Sequence, residues 1–168
     1  MSHGVNRGKL KRDKVDERHN FISDLITECP NIIFDIYGYK NREPVWAEDF
    51  YKVIVNSKMA LNLTRGRPLK YLTSNRIASL IGNGLLTFID KKTKLNNFFN
   101  NNEVVFYSGL QDLADKINYY KSNDVSRIKI AKNGRKKYFD LFECQKVANY
   151  IISKSFDREI PKYLKWMD

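Results

Sequence analysis

A chain of 168 residues with 42% apolar and 13% aromatic side chains can bury one good core and is too short for two full domains. Thirty Lys and Arg against 19 Asp and Glu give a formal net charge of +11, which favours polyanions as neighbours, although a Lys-, Asn- and Ile-rich composition by itself supplies part of that charge. Two cysteines without metal-like spacing argue against a zinc site or a disulfide framework, and no apolar run reaches the ~20 residues that span a bilayer; the expected setting is the cytoplasm or its membrane periphery.

Residues 1–16 are charged and weakly patterned and read as a basic arm or a partial first strand. From Glu17, Phe21, Ile22, Leu25, Ile26 and Cys29 recur at helical spacing until Pro30. A strand is expected over Ile32–Tyr39, then a polar turn, then a helix carrying Trp46, Phe50, Val53 and Ile54. Met59–Leu63 reads as a short strand, Thr64–Leu72 as a basic loop, and Thr73 or Ser74 can cap a helix containing Ile77, Leu80 and Ile81 that Gly82 and Gly84 end. Leu85–Ile89 and Val104–Tyr107 are compact apolar runs of the kind buried on both faces of a parallel sheet. Between them lies a Lys/Asn linker anchored by Phe98 and Phe99. Ser108 and Gln111 have capping-box spacing ahead of a helix, and two more helices follow from Asp124 and around Val147 to Ile151. The alternation implies a single α/β domain with a Rossmann-like, doubly wound parallel sheet over 17–156, followed by a charged tail over 157–168.

Ligands of such folds bind beyond the carboxyl ends of the strands, which directs attention to Gly38 and to the loop after Leu63. There Arg65, Lys70, Thr73, Ser74, Asn75 and Arg76 bring basic, hydroxyl and amide groups to a helix start. Such a set is a candidate phosphate site, with an ordinary capped helix flanked by solvated arginines as the simpler reading. Glu103 could hold sugar hydroxyls or be a plain surface acid. His3 and His19 have no nucleophile beside them, and neither a Walker loop, a GxGxxG turn nor an HExxH motif is present. Lys129, Lys132, Arg135, Lys136 and Lys137 can track a phosphodiester backbone or simply form a solvated face.

The words Ser57-Lys-Met-Ala-Leu-Asn-Leu, Ser74-Asn-Arg-Ile-Ala-Ser-Leu-Ile-Gly-Asn-Gly84, Phe98-Phe-Asn-Asn-Asn-Glu-Val-Val-Phe-Tyr107, Leu110-Gln-Asp-Leu-Ala-Asp-Lys-Ile117 and Ile130-Ala-Lys-Asn-Gly134 together resemble the C-terminal, donor-binding half of GT-B glycosyltransferases. Within that fold the group-1-like, spore-maturation-like set is the most similar, over roughly residues 17–152. The Tyr71-to-Arg76 phrase also resembles the donor segment of fucosyltransferases. The resemblance implies a nucleotide diphosphate-sugar as donor substrate, with Arg76 on its diphosphate and Gly84 easing the turn from helix to strand. It further implies no metal and no cofactor beyond that substrate, and an acceptor site on a separate N-terminal domain or partner chain. The family's ribose-binding acid falls on Ser79, a departure that weakens the hydrogen bond expected there. A non-catalytic basic module that binds nucleic acid or another polyanion is the competing expectation; nucleic acid is the less favoured partner.

Overall fold

Three short apolar runs pair into the centre of the fold. The computed structural model of the chain describes residues 17–64, 68–72 and 75–167. Strands β1 (Met59–Asn62), β2 (Leu86–Asp90) and β3 (Val105–Tyr107) form a parallel sheet in that order. Met59 lies opposite Leu86, and Phe88 opposite Val105. Around it stand α1 (Arg18–Glu28), α2 (Ala47–Asn56), α3 (Asn75–Ile81), α4 (Leu110–Ser122), α5 (Asp124–Phe142) and α6 (Cys144–Ser155).

Alternation along the strands sorts their side chains to two faces. On one face Met59, Leu61, Leu86, Phe88, Val105 and Tyr107 pack with Leu25 of α1, with Leu113, Ala114 and Ile117 of α4, and with Ile130 and Ala131 of α5. On the other, Ile89 and Phe106 pack with Ile77 and Ile81 of α3, with Leu95 and Phe99, and with Tyr138 and Phe142 of α5. Ala60 lies among Ile54 and Phe50 of α2 and Leu80 of α3. Helices therefore cover both faces, the doubly wound arrangement expected of apolar parallel strands.

Two glycines permit the close turns this requires. Gly84 has φ +77° and lets the chain leave α3 directly into β2. A Cβ on Gly134 would lie 2.1 Å from the Glu103 carbonyl oxygen, so α5 can cross the loop before β3 only without a side chain there.

Two local expectations are corrected. Ile32–Tyr39 pairs with no named strand among the described residues; it carries isolated bridge positions at Tyr37 and Tyr39, the latter antiparallel to Arg42. Ile32 and Phe34 pack on the core while Ile33 is 92% exposed. The alternation is that of a strand, but among the described residues no strand of the sheet lies beside it. At the start of α4, Gly109 takes the cap position. The Asp112 carboxylate, rather than Gln111, accepts the Ser108 N–H at 2.7 Å, a shorter and charged acceptor. Gln111 instead donates to Asp115.

Candidate functional site

The carboxyl ends of β1, β2 and β3 are Asn62, Asp90 and Tyr107, and the site is built outward from them. The main chain leaves β1 through Leu63 and Thr64 and returns at α3. The Arg76 guanidinium reaches back and donates through Nη1 to the Leu63 carbonyl, closing the base of that loop. Arg76 is therefore a half-buried group fixed at the sheet edge.

A second arginine shares this edge. Arg18, in the first turn of α1, is only 7% exposed. Helix α1 lies beside α4, and Phe21, one turn on from Arg18, has its ring 6.5 Å from that of Tyr107 at the end of β3. Burial pulls the Arg76 guanidinium below the usual arginine range, and the positive charge of Arg18 adds to the effect. Like charges near one another raise the cost of each cation, a cost that an anion near either one would lower.

Gly38 precedes a residue that packs on the start of α1. It has φ +69°, and its N–H donates to Arg42 O at 2.8 Å, closing a tight turn. The next residue, Tyr39, is 7% exposed. Its ring lies 5.0 Å from that of His19, and its hydroxyl donates to the His19 carbonyl. His19 is thus a packing residue at the start of α1, next to Arg18.

Lys70 lies in a turn between β1 and α3. Leu72 N–H donates to Leu69 O, so Lys70 and Tyr71 form the middle of a closed turn. The Lys70 ammonium sits 4.7 Å from the Tyr71 ring centroid. Asn75 opens α3 and is exposed, and Ser79 follows one turn later. The Ser79 hydroxyl donates to Asn75 O at 2.9 Å. Its proton is spent inside the helix, so toward a ligand it can act only as an acceptor. Helix α3 has seven residues, and its dipole is correspondingly short; anion binding at this edge would rest mainly on side chains. Arg65, Thr73 and Ser74 lie outside the described residues.

Other sequence candidates lie elsewhere. The Glu103 carboxylate accepts the Asn100 N–H at 2.8 Å and precedes β3, at the opposite, amino edge of the sheet. Lys129, Lys132 and Lys136 are exposed on α5, whereas Arg135 donates through Nε to Gly82 O at 3.1 Å. An open groove runs between Asp35 and Tyr37 on one wall and Asp49, Lys52 and Val53 of α2 on the other. Among the described residues no three His, Cys, Asp or Glu side chains gather as a metal site, and no helix is long and apolar enough to cross a membrane.

Arg18 was not among the sequence candidates. Its signal was present: Arg18, Ile22, Leu25 and Cys29 fall on one helical stripe, and a cation that extends an apolar stripe is headed inward.

Comparison with known proteins gives one match. The profile of a family described as glycosyl transferase-like matches residues 14–153, a stretch that contains the whole sheet, the Leu63–Arg76 loop and the helices on both faces. No curated protein and no solved structure matches the chain. A match across that much of the fold, including both arginines, shows that the chain belongs to the glycosyl transferase-like family.

Proposed function

We propose that this chain is the donor-binding domain, a GT-B half, of a glycosyltransferase that acts without a metal. A nucleoside diphosphate-sugar would lie across the carboxyl edge of the sheet, its diphosphate against Arg76 and Arg18, with Lys70, Asn75 and the loop residues Arg65, Thr73 and Ser74 around it. Its nucleoside would extend toward Gly38 and Ser79. The observation that supports this reading is that Arg76 holds the Leu63 carbonyl just past the carboxyl end of β1 in a glycosyl transferase-like chain, with the buried Arg18 near enough to lower its guanidinium pKa further.

In the transfer, the bond between sugar C1 and the diphosphate oxygen breaks, the acceptor oxygen bonds to C1, and the acceptor proton passes to a base. Charge accumulates on the leaving diphosphate, where fixed guanidinium groups stabilise it most. Acceptor and base would come from an N-terminal acceptor domain or a partner chain, working in the cytoplasm or at the membrane periphery.

Calorimetric titration with UDP and GDP tests the reading. Saturable binding is expected, weakened by about 1 to 3 kcal/mol in Arg76→Ala, the range for a charge-assisted hydrogen bond. Unchanged affinity in that variant would reject it.

The exposed lysines of α5 favour a second reading, a module that binds nucleic acid or another polyanion. Oligonucleotide binding that falls steeply with salt, with no saturable nucleotide binding, would select it instead.

A further inference from the structure

We propose that Tyr71 is a positioning residue, which with Asn97 pins the Leu69–Leu72 turn and thereby sets where Lys70 meets the anion; this rests on the nucleotide-sugar reading above. Three contacts converge on this one residue. Its N–H donates to Thr93 O at 2.7 Å, Asn97 Nδ2 donates to its hydroxyl at 2.6 Å, and the Phe98 ring meets its own edge to face at 5.1 Å.

What Tyr71 is pinned to is rigid. The segment after β2 is held by Thr93 and Leu95, each 0% exposed, and by Phe99, 1% exposed. The Thr93 hydroxyl donates to Asp90 O at 2.7 Å, and the Asp90 carboxylate accepts the Lys92 N–H at 2.8 Å. The platform is thus continuous with the carboxyl end of β2.

The pinned turn, by contrast, buries little. Leu69 is 62% exposed, and Tyr71 and Leu72 are each 38% exposed. Tyr71 also has φ +58°, a conformation rare for an aromatic residue and retained only where the surroundings over-determine it. A fixed, conformationally costly contact that shields so little apolar surface is poorly explained by core stability. Its consequence falls on its neighbour: Lys70 is held with its ammonium over the Tyr71 ring. Two contacts among the described residues therefore hold this edge, Arg76 on Leu63 after β1 and Tyr71 on Thr93 and Asn97 after β2. The first belongs to the arginine corner, and the second brings Lys70 to the β2 side of the same edge.

The test is a double-mutant cycle read by calorimetric titration with UDP and GDP, using Tyr71→Phe, Asn97→Ala, Lys70→Ala and the Asn97→Ala/Lys70→Ala pair. Tyr71→Phe and Asn97→Ala should each weaken binding about three- to tenfold, the worth of one neutral hydrogen bond, with melting temperatures close to wild type. Because the pin is expected to act through Lys70, the pair should bind no more weakly than Lys70→Ala alone. Wild-type affinity in Tyr71→Phe and Asn97→Ala, or losses that simply add with Lys70→Ala, would overturn the proposal. If the wild-type chain binds neither nucleotide, the donor-site reading itself fails. Amide exchange at Tyr71 then judges the pin separately: slow exchange that quickens in Asn97→Ala sustains it, and equal exchange in both overturns it.

Discussion

Two apolar runs of similar composition meet opposite fates in this molecule. Leu86–Asp90 pairs on both sides and is buried on both faces, with Leu86 and Ile89 at 0% exposure. Ile32–Tyr39 is also largely apolar but alternates in exposure and joins no sheet among the described residues, leaving Ile33 at 92% exposure. Propensity is shared; among the described residues the difference is a hydrogen-bonded neighbour strand on each side of the first run. β-Propensity largely measures packing against such neighbours, so the two runs should respond to mutation very differently.

The largest expected effect lies in the paired run. Phe88→Ala should lower unfolding free energy by about 3 to 5 kcal/mol, measured by urea denaturation, because Phe88 is 1% exposed and central to one core cluster. Next comes the crossing of α5 over the loop before β3. Gly134→Ala places a methyl against the Glu103 carbonyl and should destabilise by about 1 to 3 kcal/mol through forced backbone shifts; wild-type stability would show that the contact relaxes freely.

A smaller effect is expected at the start of α4. The hydrogen bond from Lys116, joined by the Ser108 N–H, holds the Asp112 carboxyl below the ordinary carboxylate range. A carboxyl depressed in the folded state stabilises the protein above its unfolded pKa, and that contribution is lost as pH falls through the folded value. Asp112→Asn should therefore cost about 1 kcal/mol near neutrality, as for a lost cap, and the gap should close below pH ~4. A gap that persists in acid would assign the loss to packing. The smallest effect belongs to the unpaired run: Ile33→Ser should stay within about 0.5 kcal/mol of wild type. A loss comparable to that of Phe88→Ala would mean that Ile32–Tyr39 is covered in solution.

The helices and the three strands were legible because each carries its period over enough residues. Ile77, Leu80 and Ile81 mark α3, and Leu113 and Ile117 mark α4, by spacing alone. Pairing was not legible, since nothing within Ile32–Tyr39 says whether a neighbour is present. Capping was read one residue away, because Gln111 and Asp112 are both plausible acceptors until the backbone angle of Gly109 decides between them. At the site, composition singled out the loop and Arg76, but not that Arg76 would grip the Leu63 carbonyl, a contact across 13 positions of sequence. Arg18 was legible only as the end of the Ile22, Leu25 and Cys29 stripe, and Tyr71 carries no local mark of its link to Asn97.

The account centres on two arginines from distant parts of the chain sharing one anion. The most direct measurement is a calorimetric titration of Arg18→Met with UDP and GDP beside the wild-type chain. If the two guanidinium groups hold one diphosphate, the variant should remain folded by circular dichroism and bind at least ~5-fold more weakly, as for a lost charge-assisted contact. Wild-type affinity in a folded Arg18→Met chain would contradict the shared site.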